Sequence, residues 1–287
     1  MTPKRALIID LDNTVWDWAE VWFAYYSTMY AGIRPHVRVS DDELEKQIRV
    51  IHQKHGTSEY SFLLDELPAL LDVFGTPEKM RKALKDEIHA FRRARKRALK
   101  IYPGMGDFLH NLRPQAVKIA AYTESLEFYT NRRLQQLSLD GVFDRVYFPA
   151  DHPVPGDLER YHSDGDNTPK LTVTGHTPKG RLKPDADILL KIVNDLGMEP
   201  ENCVYVGDSL MKDIPMAREA GVLDAYALYG EAQKRPEYEV LRRVSHWTDE
   251  DVEREKQILA RPKIDPTITL NDSIAELLNF VRFENDG

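Results

Sequence analysis

Asp10 and Asp12 stand two residues apart, directly after the apolar run Ala6-Leu7-Ile8-Ile9. Residues i and i+2 of an extended strand point the same way, and the turn-prone Asn13 and Thr14 follow. Both carboxylates can therefore reach one cleft at the end of the strand. Two close carboxylates suit a nucleophile and a general acid/base, with a hard cation bridging to phosphate oxygens. The same short pattern also suits a turn in which Asp and Asn side chains only hydrogen-bond the backbone.

Three later segments bear on the choice. Ala120-Ala121-Tyr122-Thr123 is an apolar run that ends in a hydroxyl able to donate to a phosphoryl oxygen. Lys183 precedes Pro184, which biases it towards extended backbone at a helix start. A lysine there could neutralise a phosphoryl group and hold a nucleophile ionised. Val204-Tyr205-Val206-Gly207-Asp208-Ser209 ends another apolar run in a carboxylate, and Asp213 follows in the same loop. These two acids could hold Mg²⁺, which takes oxygen ligands and keeps several waters. Taken singly, each segment has a plainer reading as a strand-end cap, a solvated lysine or a helix N-cap.

The elements that must position these residues alternate. Ala6 to Ile9 reads as a buried parallel strand, because a short apolar run without alternation suits a strand covered on both faces. From Tyr102-Pro103-Gly104 onward, helices and strands alternate. Helix 105–112 precedes strand 117–122, helix 126–137 strand 142–148, helix 186–196 strand 203–206, and helix 215–220 strand 225–228. A short strand near 268–270 and a helix over 273–281 close the chain. This alternation implies an α/β core with a parallel sheet and helices on both faces. Residues 17–100 show no clear strand and read as an inserted α-helical cap. Ser40 with Glu43 is a capping-box start, and Thr76-Pro77 opens another helix. The expected division is therefore 1–16 and 101–287 for the core and 17–100 for the cap. Segment 151–181 reads as a loop, with a hairpin around Leu171-Thr172-Val173, and 230–263 as polar and partly helical.

The chain of 287 residues is long enough for a core and a smaller domain. A net charge of -8 argues against general affinity for nucleic acid or anionic membrane. The lone Cys203 excludes an internal disulfide and fits a reducing compartment. The apolar run after Met1-Thr2-Pro3-Lys4-Arg5 is too short for a secretory signal, so the expected location is the cytoplasm.

In this order the segments resemble the four motifs of the haloacid dehalogenase-like hydrolase superfamily: Asp10-Leu11-Asp12-Asn13-Thr14-Val15, Thr123, Lys183-Pro184, and Gly207-Asp208-Ser209 to Asp213. The resemblance implies a Rossmann-like three-layer core with a helical cap inserted after the first motif. It implies that Asp10 attacks phosphorus, while Asp12 protonates the leaving oxygen and then activates water. Mg²⁺ would be held by the Asp10 carboxylate, the Asp12 backbone carbonyl and Asp208, with Asp213 nearby or acting through water. Thr123 and Lys183, with Asn13 and Thr14, would bind the phosphoryl group. Dehalogenases similar to this family lack the Asp12 carboxylate, so its presence points to phosphoryl transfer. The expected activity is a magnesium-dependent phosphatase for a small phosphomonoester. A sugar-phosphate phosphomutase and a non-catalytic binding protein are the alternatives.

Other features carry less. Arg92-Arg93-Ala94-Arg95-Lys96-Arg97 reads as a solvated helix end, with cations near the C-terminus. His152, His162 and His176, beside Asp151, Asp164 and Asp166, match no zinc spacing and read as surface loop. His52 and His55 read as helix-surface residues. In the aromatic cluster from Trp16 to Tyr26, Trp16 and Trp18 are candidates to line a substrate pocket, because they lie nearest Asp10 in sequence.

Overall fold

The computed structural model describes residues 3–153, 167–260 and 264–284. The chain divides into two compact units. One comprises Met1–Asp17, Lys100–Glu231 and Pro262–Gly287, and the other Trp18–Leu99 and Ala232–Arg261.

The first unit is built on a seven-stranded parallel sheet in the order β4-β3-β2-β1-β5-β6-β7. The strands are β1 (Ala6–Ile9), β2 (Lys118–Tyr122), β3 (Arg145–Phe148), β4 (Val173–His176), β5 (Cys203–Gly207), β6 (Leu223–Ala227) and β7 (Ile268–Leu270). The sheet has the reversal of strand order about β1 that makes a cleft at the carboxyl ends. Ala6, Ile8, Ala120, Tyr122, Cys203 and Tyr205 point to one face. There they pack with Ile188, Leu189, Ile192 and Val193 of helix Ala186–Asp195, and with Met216 and Ala217 of helix Asp213–Glu219. The alternate set Leu7, Ile9, Ile119 and Ala121 is equally buried. Both faces are therefore covered, which is why these strands read as unbroken apolar runs. The observed fold is the α/β core expected from the alternation, Rossmann-like as the family resemblance implies, with a helical unit inserted after β1.

The second unit contains the helices Trp18–Ile33, Asp41–His55, Leu63–Glu66, Pro68–Phe74, Pro77–Ala83, Lys85–Ala98, Tyr238–Val244 and Asp249–Ala260. Ser40 and Thr76 cap their helices as expected, accepting from the amides of Glu43 and Lys79. The basic run ends helix Lys85–Ala98, with Arg95 over the Tyr25 ring.

Three expectations need correction. Residues 232–261 pack with the helical unit, whereas the sequence reading leaves them in the core. Arg243 pairs with Glu45 (2.8 Å), and Arg49 pairs with Asp249 (2.5 Å). His52 donates from Nδ1 to the Val244 carbonyl (2.6 Å). His52 is therefore buried, not a surface residue, and burial depresses its pKa to about 4. His55 stacks on Tyr60 and bonds Glu66 (3.0 Å). Finally, 173–176 forms β4, a parallel edge strand beside β3, and not a hairpin. Its predominantly polar, partly exposed sequence VTGH hides it from an apolar-run criterion. His176 in that strand bonds Glu127 (2.8 Å), while His162, Asp164 and Asp166 lie outside the described residues. Among the described residues, no helix is long and apolar enough to cross a membrane.

Candidate active site

Sheet register brings three motif segments to one edge. Ile9 pairs with Ala121 on one side and with Val206 on the other. Asp10, Thr123 and Asp208 consequently emerge together at the carboxyl ends of β1, β2 and β5. The Asp10 amide donates to the Val206 carbonyl (2.9 Å), which holds the first residue past β1 in place. The chain then turns tightly. The amides of Thr14, Val15 and Trp16 all reach the Leu11 carbonyl, and Asn13 adopts a left-handed φ of 57°. Asparagine tolerates that conformation better than most residues. Two glycines let other segments approach. A Cβ on Gly207 would lie 2.3 Å from Asp213 Cγ, and one on Gly230 would lie 1.7 Å from the Asn13 carbonyl oxygen.

Lys183 lies at the centre of the site, carried by the loop before the helix that Asp185 caps. Its ammonium is 2.5 Å from Asp10 Oδ1 and 3.0 Å from Asp213 Oδ1. The Tyr122 and Tyr205 ring centroids lie 4.8 and 5.6 Å away. Burial alone would depress the Lys183 pKa, but Asp10 and Asp213 outweigh it and hold the value well above the lysine norm. Asp213 also accepts from the Tyr205 hydroxyl (2.8 Å) and the Ser209 amide (3.0 Å). Glu124 fixes the loop of Lys183 by accepting its amide (2.8 Å), and is itself paired with Lys212 (2.5 Å).

Carboxylate oxygens of Asp10, Asp208 and Asp213 lie within 4.8 Å of one another. Burial raises the Asp10 pKa to about 7, opposed by Lys183 and reinforced by Asp213 and Asp12. Burial, then Asp10 and Asp213, raise that of Asp208 well above the carboxylate range. One ammonium thus leaves the cluster with excess negative charge. A cation with oxygen ligands would relieve that excess, so the donor set fits a hard divalent metal.

Asp12 is held separately. Its Oδ1 accepts from Trp16 Nε1 (2.7 Å) and Arg133 Nη1 (3.3 Å), and its Oδ2 from Ser125 Oγ (2.5 Å) and Thr123 Oγ1 (3.4 Å). The Asp12 side chain is outside the acidic cluster that could hold a metal. Thr14 Oγ1 donates to Asp10 Oδ2 at 3.4 Å. The structure therefore brings Asp10, Asp12, Thr14, Thr123, Lys183, Asp208 and Asp213 together around the strand ends, with Asn13 in the turn between them. The expected pocket role of Trp16 is corrected: its side chain is fully buried and its indole supports Asp12. Trp18 belongs to the helical unit, where it donates to Glu59 (2.9 Å) and tilts against Trp22.

Ser125, Glu124, Tyr205, Lys212 and Arg133 join the site from outside the motif positions that the sequence marks. Arg133 carried a signal: with Tyr129, Thr130 and Leu134 it lies on the buried side of helix Glu127–Gln136, where a cation needs a partner.

The chain is similar in sequence and fold to known proteins. The chain is 23% identical over 237 residues to a glyceraldehyde 3-phosphate phosphatase of Methanopyrus kandleri, covering 80% of this chain and 86% of that protein. It is 29% identical over 136 residues to a phosphoglycolate phosphatase of Pseudomonas putida, covering 47% of this chain and 40% of that protein. The crystal structure of a 2-haloacid dehalogenase from Pseudomonas syringae matches with a TM-score of 0.55 at 16% identity, over 96% of this chain and 97% of that one. Residues 4–221 match the family model described as haloacid dehalogenase-like hydrolase, and with the motif residues gathered at the strand ends, the chain belongs to that family.

Proposed function

We propose that this chain is a phosphatase that hydrolyses a small phosphomonoester through an aspartyl-phosphate on Asp10, with Mg²⁺ held by the carboxylates of Asp10, Asp208 and Asp213. The observation that carries this reading is the buried Lys183 ammonium shared between Asp10 and Asp213, beside a second carboxylate, Asp12, held apart by four donors. Phosphoryl transfer asks the protein for little beyond positioning and charge neutralisation. When bound, Mg²⁺ supplies the positive charge that offsets both the carboxylates and the phosphate oxygens.

A carboxylate oxygen of Asp10 forms a bond to phosphorus as the ester P–O bond breaks. Asp12, in its protonated form, gives its proton to the leaving oxygen. The Asp12 carboxylate then takes a proton from water as the water oxygen attacks phosphorus. The Asp10–phosphorus bond breaks and inorganic phosphate leaves. Lys183 balances charge on Asp10 and on the phosphoryl group throughout, and Thr123 and the turn at Asn13 and Thr14 contribute donors to the phosphoryl oxygens. The curated relatives above are phosphatases, and their names specify short-chain phosphate esters. We read the helical unit as the cap that the family resemblance implies.

The test is a screen of phosphorylated metabolites with Mg²⁺, using the wild type and Asp10→Asn. Free phosphate from the wild type and none from the variant is the expected outcome. An isomerised sugar phosphate in place of free phosphate would instead indicate a mutase. Wild-type turnover by Asp10→Asn would refute the mechanism.

A further inference from the structure

We infer that Arg133 is a positioning residue for Asp12, an inference that rests on the phosphatase reading above and extends it to a side chain outside the four motifs. Its side chain is only 4% exposed, on the inward side of helix Glu127–Gln136. A buried guanidinium is costly unless its donors are used. Here Nη1 reaches both Asp12 Oδ1 (3.3 Å) and Ser125 Oγ (3.0 Å), and Ser125 Oγ in turn donates to Asp12 Oδ2 (2.5 Å). The ring of Tyr129 lies 5.6 Å from the guanidinium carbon and helps fix its direction. Arg133 and Ser125 thus grip Asp12 from both of its oxygens, while Trp16 Nε1 also donates to Oδ1 (2.7 Å). Asp10, by contrast, is paired with the Lys183 ammonium (2.5 Å). The two carboxylates are therefore steered by separate basic residues, one for the nucleophile and one for the proton carrier.

This assignment makes a selective prediction. A proton carrier matters most when the leaving group is a poor one. An alkyl phosphate needs its oxygen protonated as the bond breaks, whereas the nitrophenolate of an aryl phosphate leaves without that help. Misplacing Asp12 should therefore slow the first step for alkyl esters and largely spare it for the aryl ester.

The experiment measures kcat/KM, which reports that first step, for 4-nitrophenyl phosphate and for an alkyl phosphate that the wild type hydrolyses. Arg133→Met is expected to lower the alkyl value about 30- to 100-fold more than the aryl value, the scale of a misplaced acid. Adding it to Asp12→Asn should cause little further loss, since the group it positions is already disabled. Arg133→Lys keeps the charge but not the rigid placement of Nη1 between Asp12 and Ser125, and should show the same selectivity at smaller magnitude; it serves as the informative variant if Arg133→Met does not fold. Equal losses on both esters in the folded variants, or full additivity with Asp12→Asn, would overturn the assignment and leave Arg133 as a structural residue. A wild type inert to every ester would overturn the phosphatase reading and this inference with it. Wild-type turnover with an unchanged ester ratio would overturn this inference alone.

Discussion

Lys183→Met removes a buried ammonium from between Asp10 and Asp213 and keeps a side chain of similar length. The ammonium, Asp10 and Asp213 side chains are 3%, 9% and 2% exposed, so water cannot take over the charge. Breaking a buried pair by removing one partner costs about 3–5 kcal/mol. Part of this is recovered by protonating Asp10, whose carboxyl already sits near about 7 with the lysine present. For a chain of this size each kcal/mol shifts the melting point by about 2–4 °C, so the metal-free variant should melt roughly 10 °C below wild type. Mg²⁺ at millimolar concentration should restore more of the melting point in the variant than it adds to the wild type, because it replaces the missing positive charge. Turnover should fall about 100- to 1,000-fold, the usual loss on removing one donor that stabilises developing charge. Thermal unfolding with and without Mg²⁺, together with phosphate release, reads all three quantities. A metal-free variant that melts with the wild type and turns over within a few-fold of it would refute the placement of Lys183 at the centre of the site.

Metal-free stability should depend on pH through Asp10 in a defined direction. The folded carboxyl is pushed up to about 7 by burial, with Lys183 opposing, while the unfolded one titrates near about 4. Between these values the folded chain holds a proton that the unfolded chain has released, so stability relative to Asp10→Asn falls as pH rises through that window. Stabilisation by Mg²⁺ should grow over the same range, and a pH-independent difference from Asp10→Asn in melting curves would contradict this. Gly207→Ala would drive a Cβ into the Asp213 carboxyl at 2.3 Å, and should cost about 100-fold in kcat/KM by displacing that side chain. Wild-type kinetics in Gly207→Ala would remove Asp213 from the site. His52→Ala leaves the Val244 carbonyl without its donor and should destabilise the helical unit by about 1–3 kcal/mol. Hydrogen exchange should show faster opening of helix Tyr238–Val244 in that variant; unaltered protection there would argue against the packing of 232–261 on helix Asp41–His55.

The core was legible because its strands are covered on both faces. Ala6 to Ile9 and Cys203 to Val206 are unbroken apolar runs that end in carboxylates, and both the burial and the chemistry follow from that one pattern. β4 was not legible, since an edge strand of the sequence VTGH has little apolar content to reveal it. The packing of residues 232–261 is hidden from the sequence for a different reason. Their partners, Glu45, Arg49 and His52, lie nearly two hundred positions earlier, and polar pairing over that span leaves no local periodicity. The site divides the same way. Motif residues announce themselves by their place at strand ends, whereas Arg133 and Ser125 matter through Asp12, 121 and 113 positions away. Trp16 shows the converse error. Nearness to Asp10 in sequence suggested an open pocket wall, but the tight turn at Leu11 folds its indole inward onto Asp12.

The central claim is that Asp10 carries the phosphoryl group, and rapid acid quench of Asp12→Asn during turnover of 4-nitrophenyl phosphate tests it most directly. With the water-activating carboxylate disabled, the account predicts a burst of nitrophenol stoichiometric with enzyme, and a peptide containing Asp10 heavier by one phosphoryl group. A burst-free time course with Asp10 unmodified, or the phosphoryl group on another residue, would contradict it.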